Sequence, residues 1–349
     1  LPWHLSPERR YGIIRIHKED KIMTETMKAA VVTAEGVKVQ QAPRPVPGPE
    51  QVLVRVRAAG LNRADLGVAA GHAHGRMGGA GTILGLEFAG EVAAVGAGVT
   101  GIKPGDRVMC AGSGGYAEYA IADMGRVQPV PDRNMSWEEA TTLPIALATM
   151  HDALISNGRM AKGEAVMILG ASSGVGLMGM QIAKYMGAAL VIGTSTHAER
   201  RAKLKDFGAD HAVNTNDADW ADQVLALTGG RGVDLVVDQV SGGTINPAMR
   251  ATAILGRIVN VGRLGGMHGD FDFDLHATRR IAYIGVTHRT RSVAEIREEE
   301  RVARRDLRKG VDEGVFRLPI DRVFALDEAV EALAHMKANA HLGKIILKT

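Results

Sequence analysis

Apolar and polar positions alternate in short runs over the first third of the chain, most clearly at 51–58, where Val52, Val54 and Val56 fall on one side. That period of two predicts half-buried strands at 37–40, 51–58, 90–95 and 107–110, with another starting at Met27. Breaks rich in proline and glycine, Pro43-Arg44-Pro45-Val46-Pro47-Gly48-Pro49 and Lys103-Pro104-Gly105-Asp106, separate them. From about Asp152 the pattern changes. Apolar runs at 166–169, 190–193, 211–213, 233–238, 257–261 and 280–286 alternate with helical stretches, which predicts a doubly wound parallel sheet. Beyond it, 292–310 reads as a charged helix with Ile296, Val302, Leu307 and Val311 on one side, and with Glu300 paired to Arg304 on a solvated face. A helix at 327–337 capped by Asp327 and a short strand at 344–347 complete the pattern.

The junction after 166–169 carries the first chemistry. Gly170, Gly174 and Gly176 lie between the strand and an amphipathic run at 178–185, and a second strand follows at 188–193. Glycines allow a tight turn and close approach to a pyrophosphate, and the first amides of a helix favour its negative charge. Ser173, Gly174, Val175 and Gly176 are therefore the expected cofactor contacts. At the end of the second strand an NAD-preferring chain usually places an acid, and here stand Thr194-Ser195-Thr196, with Arg200 and Arg201 one turn on. Hydroxyls and guanidiniums suit a phosphate that a carboxylate would repel. The expected cofactor is NADPH, with Ser195 and Arg200 at its 2′-phosphate; the competing reading of both arginines is a solvated helix face.

A length of 349 residues suits two domains, each able to bury a core. The single cysteine, Cys110, excludes a disulfide framework and makes a reducing compartment, the cytoplasm, the expected location. No apolar run approaches the roughly twenty residues of a membrane helix. A net charge of +3, with acids and bases interspersed, argues against nucleic acid. Residues 1–21 lack a sustained apolar period, so 1–26 are expected to be an extension outside the fold, with Met23 or Met27 as the natural start.

Several motifs then combine: Gly60-Leu61-Asn62-Arg63-Ala64-Asp65, Leu84-Gly85-Leu86-Glu87-Phe88-Ala89-Gly90, Pro104-Gly105-Asp106-Arg107-Val108 and Gly115-Tyr116-Ala117-Glu118-Tyr119. With the glycine turn, Gly285-Val286-Thr287-His288-Arg289 and Gly343-Lys344-Ile345-Ile346-Leu347, they resemble the medium-chain dehydrogenase/reductase superfamily over nearly all of 27–348. Within it the chain is most similar to the zinc-free NADPH:quinone oxidoreductases. The resemblance implies an α/β fold: a GroES-like β-rich catalytic domain formed by 27–151 and 288–349, with a Rossmann NADPH-binding domain, 152–287, inserted between them. It implies Asn62 beside the nicotinamide and the acceptor, Val240, Val261, Gly262 and Thr287 along the nicotinamide half, and Thr149 and Asn339 near its carboxamide and ribose. It further implies a homodimer in which strand 280–286 pairs across a two-fold axis. Relatives carry tyrosines at the positions of Gly67 and Thr215, so the acceptor pocket and part of the phosphate pocket depart from the pattern.

Catalytic zinc needs three protein ligands and an open position. The resemblance puts a cysteine of the zinc enzymes at or beside Asn62 and a histidine at Leu86, so no such site is expected here. His72 and His74, in the glycine-rich loop 71–81, offer a metal pair, with a mobile substrate-side loop as the plainer reading. His151 reads as a core-edge histidine, with proton donation as its alternative. Without a Lewis acid, hydride transfer to a quinone or an α,β-unsaturated carbonyl is the expected reaction, with Asn62 donating a hydrogen bond to the acceptor oxygen and water supplying the proton. The alternatives are an enoyl-thioester reductase, which Arg76 as the lone basic residue of the loop disfavours, and a non-catalytic NADPH-binding protein. No Ser/His/Asp set or carboxylate pair points to hydrolysis.

Overall fold

The computed structural model describes residues 25–75 and 77–349. The expectations for the extension and for Met23 and Arg76 fall outside them, apart from Glu25 and Thr26; the first strand, Thr26–Thr33, begins one residue before Met27.

The α/β fold class is as expected, with a GroES-like sheet and a parallel Rossmann-like sheet. At the centre of the first sheet is Gln51–Gly60, whose Val52, Val54 and Val56 are all buried. It pairs antiparallel with Glu87–Val95 on one side, and on the other with Tyr119–Asp123 and Lys344–Lys348. The last of these brings the end of the described chain back beside the first sheet, a return that no local period encodes. Gly90 is needed in the neighbouring strand because a Cβ there would lie 2.0 Å from the Arg55 carbonyl oxygen.

The second sheet has six parallel strands in the order His211–Val213, Leu190–Thr194, Ala165–Leu169, Val233–Asp238, Thr252–Asn260 and Ala282–Gly285. Every residue of Ala165–Leu169 is buried, as a strand covered on both faces requires. Chain order runs outward in both directions from this strand, so its carboxyl end is the topological switch point where such sheets bind ligands. The edge strand is shorter than the expected 280–286 because Arg280, at φ 52°, ends the preceding helix Phe273–Arg279 in the left-handed region.

Two helix expectations are corrected. Helix Val293–Asp312 does bury Leu307 and Val311, but Glu299 and Glu300 are buried too, and no Glu300–Arg304 ion pair forms. Arg291 binds both Glu299 and Asp152, and Arg304 donates to the Val127 carbonyl at 2.8 Å, so this face is an internal ionic seam. Asp327 is not a helix cap. It pairs with Lys28 at 2.9 Å, while the Glu328 carboxylate accepts the Ala325 N–H ahead of helix Ala329–Lys337.

Candidate functional site

Strand Ala165–Leu169 turns at Gly170, whose φ of 71° favours glycine, and enters helix Gly174–Tyr185. The helix is capped by Ser173, whose Oγ accepts the Gly176 amide at 3.0 Å and itself meets Gln239 Oε1 at 2.9 Å. That leaves the Gly174 and Val175 amides without a capping side chain at the positive end of the helix dipole. A Cβ on Gly176 would lie 2.7 Å from Ala171 Cα and from the carbonyl oxygens of Gly170 and Ala171, so only glycine lets the helix close on the turn. The cradle fits a pyrophosphate.

The neighbouring strand ends converge on this turn. Val240 follows strand Val233–Asp238 and would touch a Cβ on Gly170 at 3.3 Å; Gln239 donates to the Leu169 carbonyl at 3.2 Å. Val261 and Gly262 follow strand Thr252–Asn260, and both donate their amides to the Asp238 carbonyl. The Asp238 carboxylate is saturated by the Val240 and Ser241 amides and the Ser241 hydroxyl, which fixes the loop. Thr287 lies two residues beyond the edge strand, and Thr149 is half-buried in helix Pro144–His151, next to Met150, which packs at Gly179 of the glycine-turn helix.

The two arginines after the second strand take different partners. Arg201, not Arg200, bonds at Ser195, donating to its carbonyl at 2.9 Å, while Ser195 and Ser172 hydroxyls meet at 3.1 Å. Arg200 donates instead to the Asn339 carbonyl at 2.5 Å, and Arg63 donates to Asn339 Oδ1 at 2.7 Å. Asn339 thus joins Arg63 and Arg200, which come from separate parts of the chain.

Asn62 follows the central strand of the first sheet and precedes helix Arg63–Ala69. Its Nδ2 donates to Glu87 Oε1 at 3.0 Å and to the Gly60 carbonyl at 3.3 Å, and its Oδ1 accepts from Lys344 Nζ at 3.1 Å. Lys344 also forms a buried ion pair with Glu87, whose second oxygen accepts the Ile145 amide at 3.0 Å. Gly60 makes room for this carboxylate, since a Cβ there would lie 2.7 Å from Glu87 Oε1. Both amide N–H groups of Asn62 are held by protein oxygens, so an acceptor oxygen would take the place of one of them. Below it, buried Asp65 accepts the Tyr116 hydroxyl at 2.7 Å and the Asn62 amide at 2.8 Å; burial pushes its carboxyl up to about 6. Sequence reasoning missed Glu87, Lys344 and Asp65 as a cluster, although each stands in one of the motifs that carry the resemblance.

Lys344 connects this cluster to the nucleotide turn. Gly343 bridges to Ser173, and the Lys344 chain lies 3.1 Å from where a Gly174 Cβ would stand. In the loop 71–81, Gly75 approaches the Arg289 backbone, and burial together with Arg289 and His288 holds His74 below its ordinary pKa. His151 is fully buried and bonds Asp306 at 2.8 Å, so it is a core residue. Among the described residues no three His, Cys, Asp or Glu side chains are grouped to hold a metal, and no helix is long and apolar enough to cross a membrane. A cavity of about 310 Å³ is lined by Met27, Pro45, Met77, Ile83 and Tyr119 among others and shares no residue with the glycine turn; the chemistry points to the turn.

Comparison with known proteins agrees with this geometry. Residues 48–132 match the alcohol dehydrogenase GroES-like domain, and residues 174–303 match the zinc-binding dehydrogenase family. A "probable oxidoreductase" from Mycobacterium abscessus is 32% identical, with a TM-score of 0.82 over 93% of this chain and 100% of that one. A quinone oxidoreductase from Pseudomonas syringae pv. Tomato is 27% identical, with a TM-score of 0.82 over 93% of this chain and 100% of its own. A phenolphthiocerol/phthiocerol polyketide synthase of Mycobacterium tuberculosis is 31% identical over 90% of this chain, which spans 14% of that relative's length.

Proposed function

We propose that this chain, which belongs to the medium-chain dehydrogenase/reductase superfamily and is one of its oxidoreductases, transfers a hydride from NADPH to a quinone or α,β-unsaturated carbonyl without catalytic zinc. The observation that carries the reading is the make-up of the position where zinc enzymes place ligands. Leu86 offers no donor atom, and Asn62 Oδ1 and Glu87 already hold the Lys344 ammonium. The choice of NADPH rests on Thr194-Ser195-Thr196, which lacks a carboxylate, and on the arginines that follow.

When bound, the nicotinamide supplies the hydride that reduces the acceptor carbon. The chain's part is to hold the dinucleotide on the glycine turn and to stabilise charge gathering on the acceptor oxygen. An ammonium proton on Asn62 Oδ1 polarises the amide and strengthens its N–H groups as donors. The 3.3 Å contact to Gly60 is the longer of the two, and it is the one an acceptor oxygen displaces. Glu87 and Lys344 keep the amide oriented during that exchange. The proton that completes the reduction comes from water.

Carbonyl-conjugated acceptors should be reduced with deuterium from C4-labelled NADPH appearing at the β-carbon of an alkyl enone, read by NMR. Absence of NADPH oxidation with every quinone, enone and enoyl thioester tried would leave a non-catalytic binding protein. A second reading, an enoyl-thioester reductase, gains from Arg289, whose backbone lies beside Gly75 and whose guanidinium adds a cation near the loop 71–81. It is supported by a preference for crotonyl-CoA over a crotonyl thioester without phosphates.

The edge strand Ala282–Gly285 is largely exposed, and Tyr283, Ile254 and Leu255 nearby are exposed apolar side chains. Pairing this edge across a two-fold axis would cover it. Light scattering at micromolar protein should give the mass of a dimer, and Tyr283→Lys should shift it toward monomer; a monomeric wild type refutes the pairing.

A further inference from the structure

Three basic side chains from separate parts of the chain gather around Asn339. Arg63 begins the helix after Asn62, Arg200 lies in helix Ala198–Ala202 beyond the second Rossmann strand, and His341 lies two residues before Gly343, which bridges to the glycine turn. Arg63 and Arg200 repel each other strongly enough that Arg200 adds to burial in lowering the Arg63 pKa. Among the described residues neither guanidinium has a carboxylate partner; their acceptors are the side-chain and main-chain oxygens of Asn339, itself in the left-handed region at φ 56°. His341 Nδ1 is buried without a hydrogen-bond partner. Burial and then Arg63, with Arg200 and His335 adding to them and Asp321 opposing, hold this imidazole down to about 4. Asp321 does not neutralise the group, because it is taken by His335 at 2.8 Å and by the Leu342 amide at 3.1 Å.

Converging like charges raise the energy of a folded chain unless an anion joins them. An orphaned buried nitrogen carries its own desolvation cost. Both are relieved by one ligand chemistry, a phosphate with several acceptor oxygens.

We propose that Arg63, Arg200 and His341 together receive a phosphate group of the bound dinucleotide, with the two oxygens of Asn339 holding the guanidiniums in place until it arrives. The inference rests on the glycine turn being a dinucleotide site. It adds that the phosphate is gripped from both parts of the chain, since Arg63 and His341 belong with the first sheet and Arg200 with the second. Neither Arg63 nor His341 stands out in the sequence, because neither lies in the strand–turn–helix motif.

The test is calorimetric titration of the full chain with NADPH, NADH, 2′,5′-ADP and 5′-ADP. Arg63→Ala and His341→Ala should each weaken NADPH binding about tenfold, as loss of a charge-assisted or orphan-satisfying bond does. If the phosphate received is the 2′ group, 2′,5′-ADP weakens in parallel while NADH and 5′-ADP do not; if it is the pyrophosphate, NADPH, NADH and 5′-ADP weaken together and 2′,5′-ADP, which has no diphosphate, weakens least. Arg63→Lys, which keeps the charge, should recover most of the affinity and serves if Arg63→Ala fails to fold. Unchanged affinity for every ligand in folded Arg63→Ala and His341→Ala overturns the proposal and leaves the dinucleotide reading standing. A wild-type chain that binds neither dinucleotide overturns both.

Discussion

Glu87→Ala is expected to cost about 3–5 kcal/mol of folding stability, the usual loss when one partner of a buried ion pair is removed. Glu87 and Lys344 are both buried, and the carboxylate serves three donors: the Lys344 ammonium, the Asn62 amide and the Ile145 backbone N–H. Deleting it leaves an ammonium with only Asn62 Oδ1 for a partner, away from water. Glu87→Gln keeps an acceptor for Ile145 and should cost less. Lys344→Met in the Glu87→Gln background should restore part of the loss, because no charge then remains to be desolvated. Urea unfolding followed by tryptophan fluorescence measures all three. A loss under about 1 kcal/mol for Glu87→Ala would mean that water reaches the cluster, and the orienting role given to Glu87 would fall with it.

This cluster also marks where the sequence stopped being readable. Strands announce themselves when the environment is uniform along them, as in the alternating Val52, Val54 and Val56 or the fully buried Ala165–Leu169. The glycine turn was legible for a similar reason: Gly170 and Gly176 answer to local sterics, one to a positive φ and one to a 2.7 Å approach. Long-range partners have no such local signature. Glu87 and Lys344 are 257 residues apart and meet only because Lys344–Lys348 pairs with the central strand of the first sheet. The helix Val293–Asp312 misled for the same reason. Its charges looked solvated because a helical period cannot tell a water-facing acid from one that, like Glu299, faces Arg291 across an internal seam. Arg200 stands out in the sequence as a candidate phosphate contact, but nothing local signals that its guanidinium meets the Asn339 carbonyl, 139 residues away.

Asp65 should make the chain less stable as pH rises from about 4 to about 7, opposite to the trend of a salt-bridged carboxylate. Burial raises its carboxyl from 3.8 to about 6, against the Tyr116 hydroxyl, the Asn62 amide and Lys344, which favour ionisation, and with Glu87, which opposes it. Unfolded, the same group titrates near about 3.9. Between those values the folded chain holds a proton that the unfolded chain has released, so stability falls with pH across this window. The contribution is fully present below about 4 and gone above about 6, and a shift of about two units corresponds to about 3 kcal/mol. Asp65→Asn keeps an oxygen for Tyr116 and the Asn62 amide but cannot ionise. The stability of wild type minus that of Asp65→Asn, from urea unfolding between about pH 4.5 and about pH 7.5, should therefore decline over the range by most of those roughly 3 kcal/mol. A flat difference would show that Asp65 ionises normally and that water or Lys344 solvates it. A decline would mean that burial opposes the second carboxylate beside Asn62, which is neutral below about pH 6 and shares one ammonium with Glu87 above it, a strain retained where the acceptor is proposed to bind.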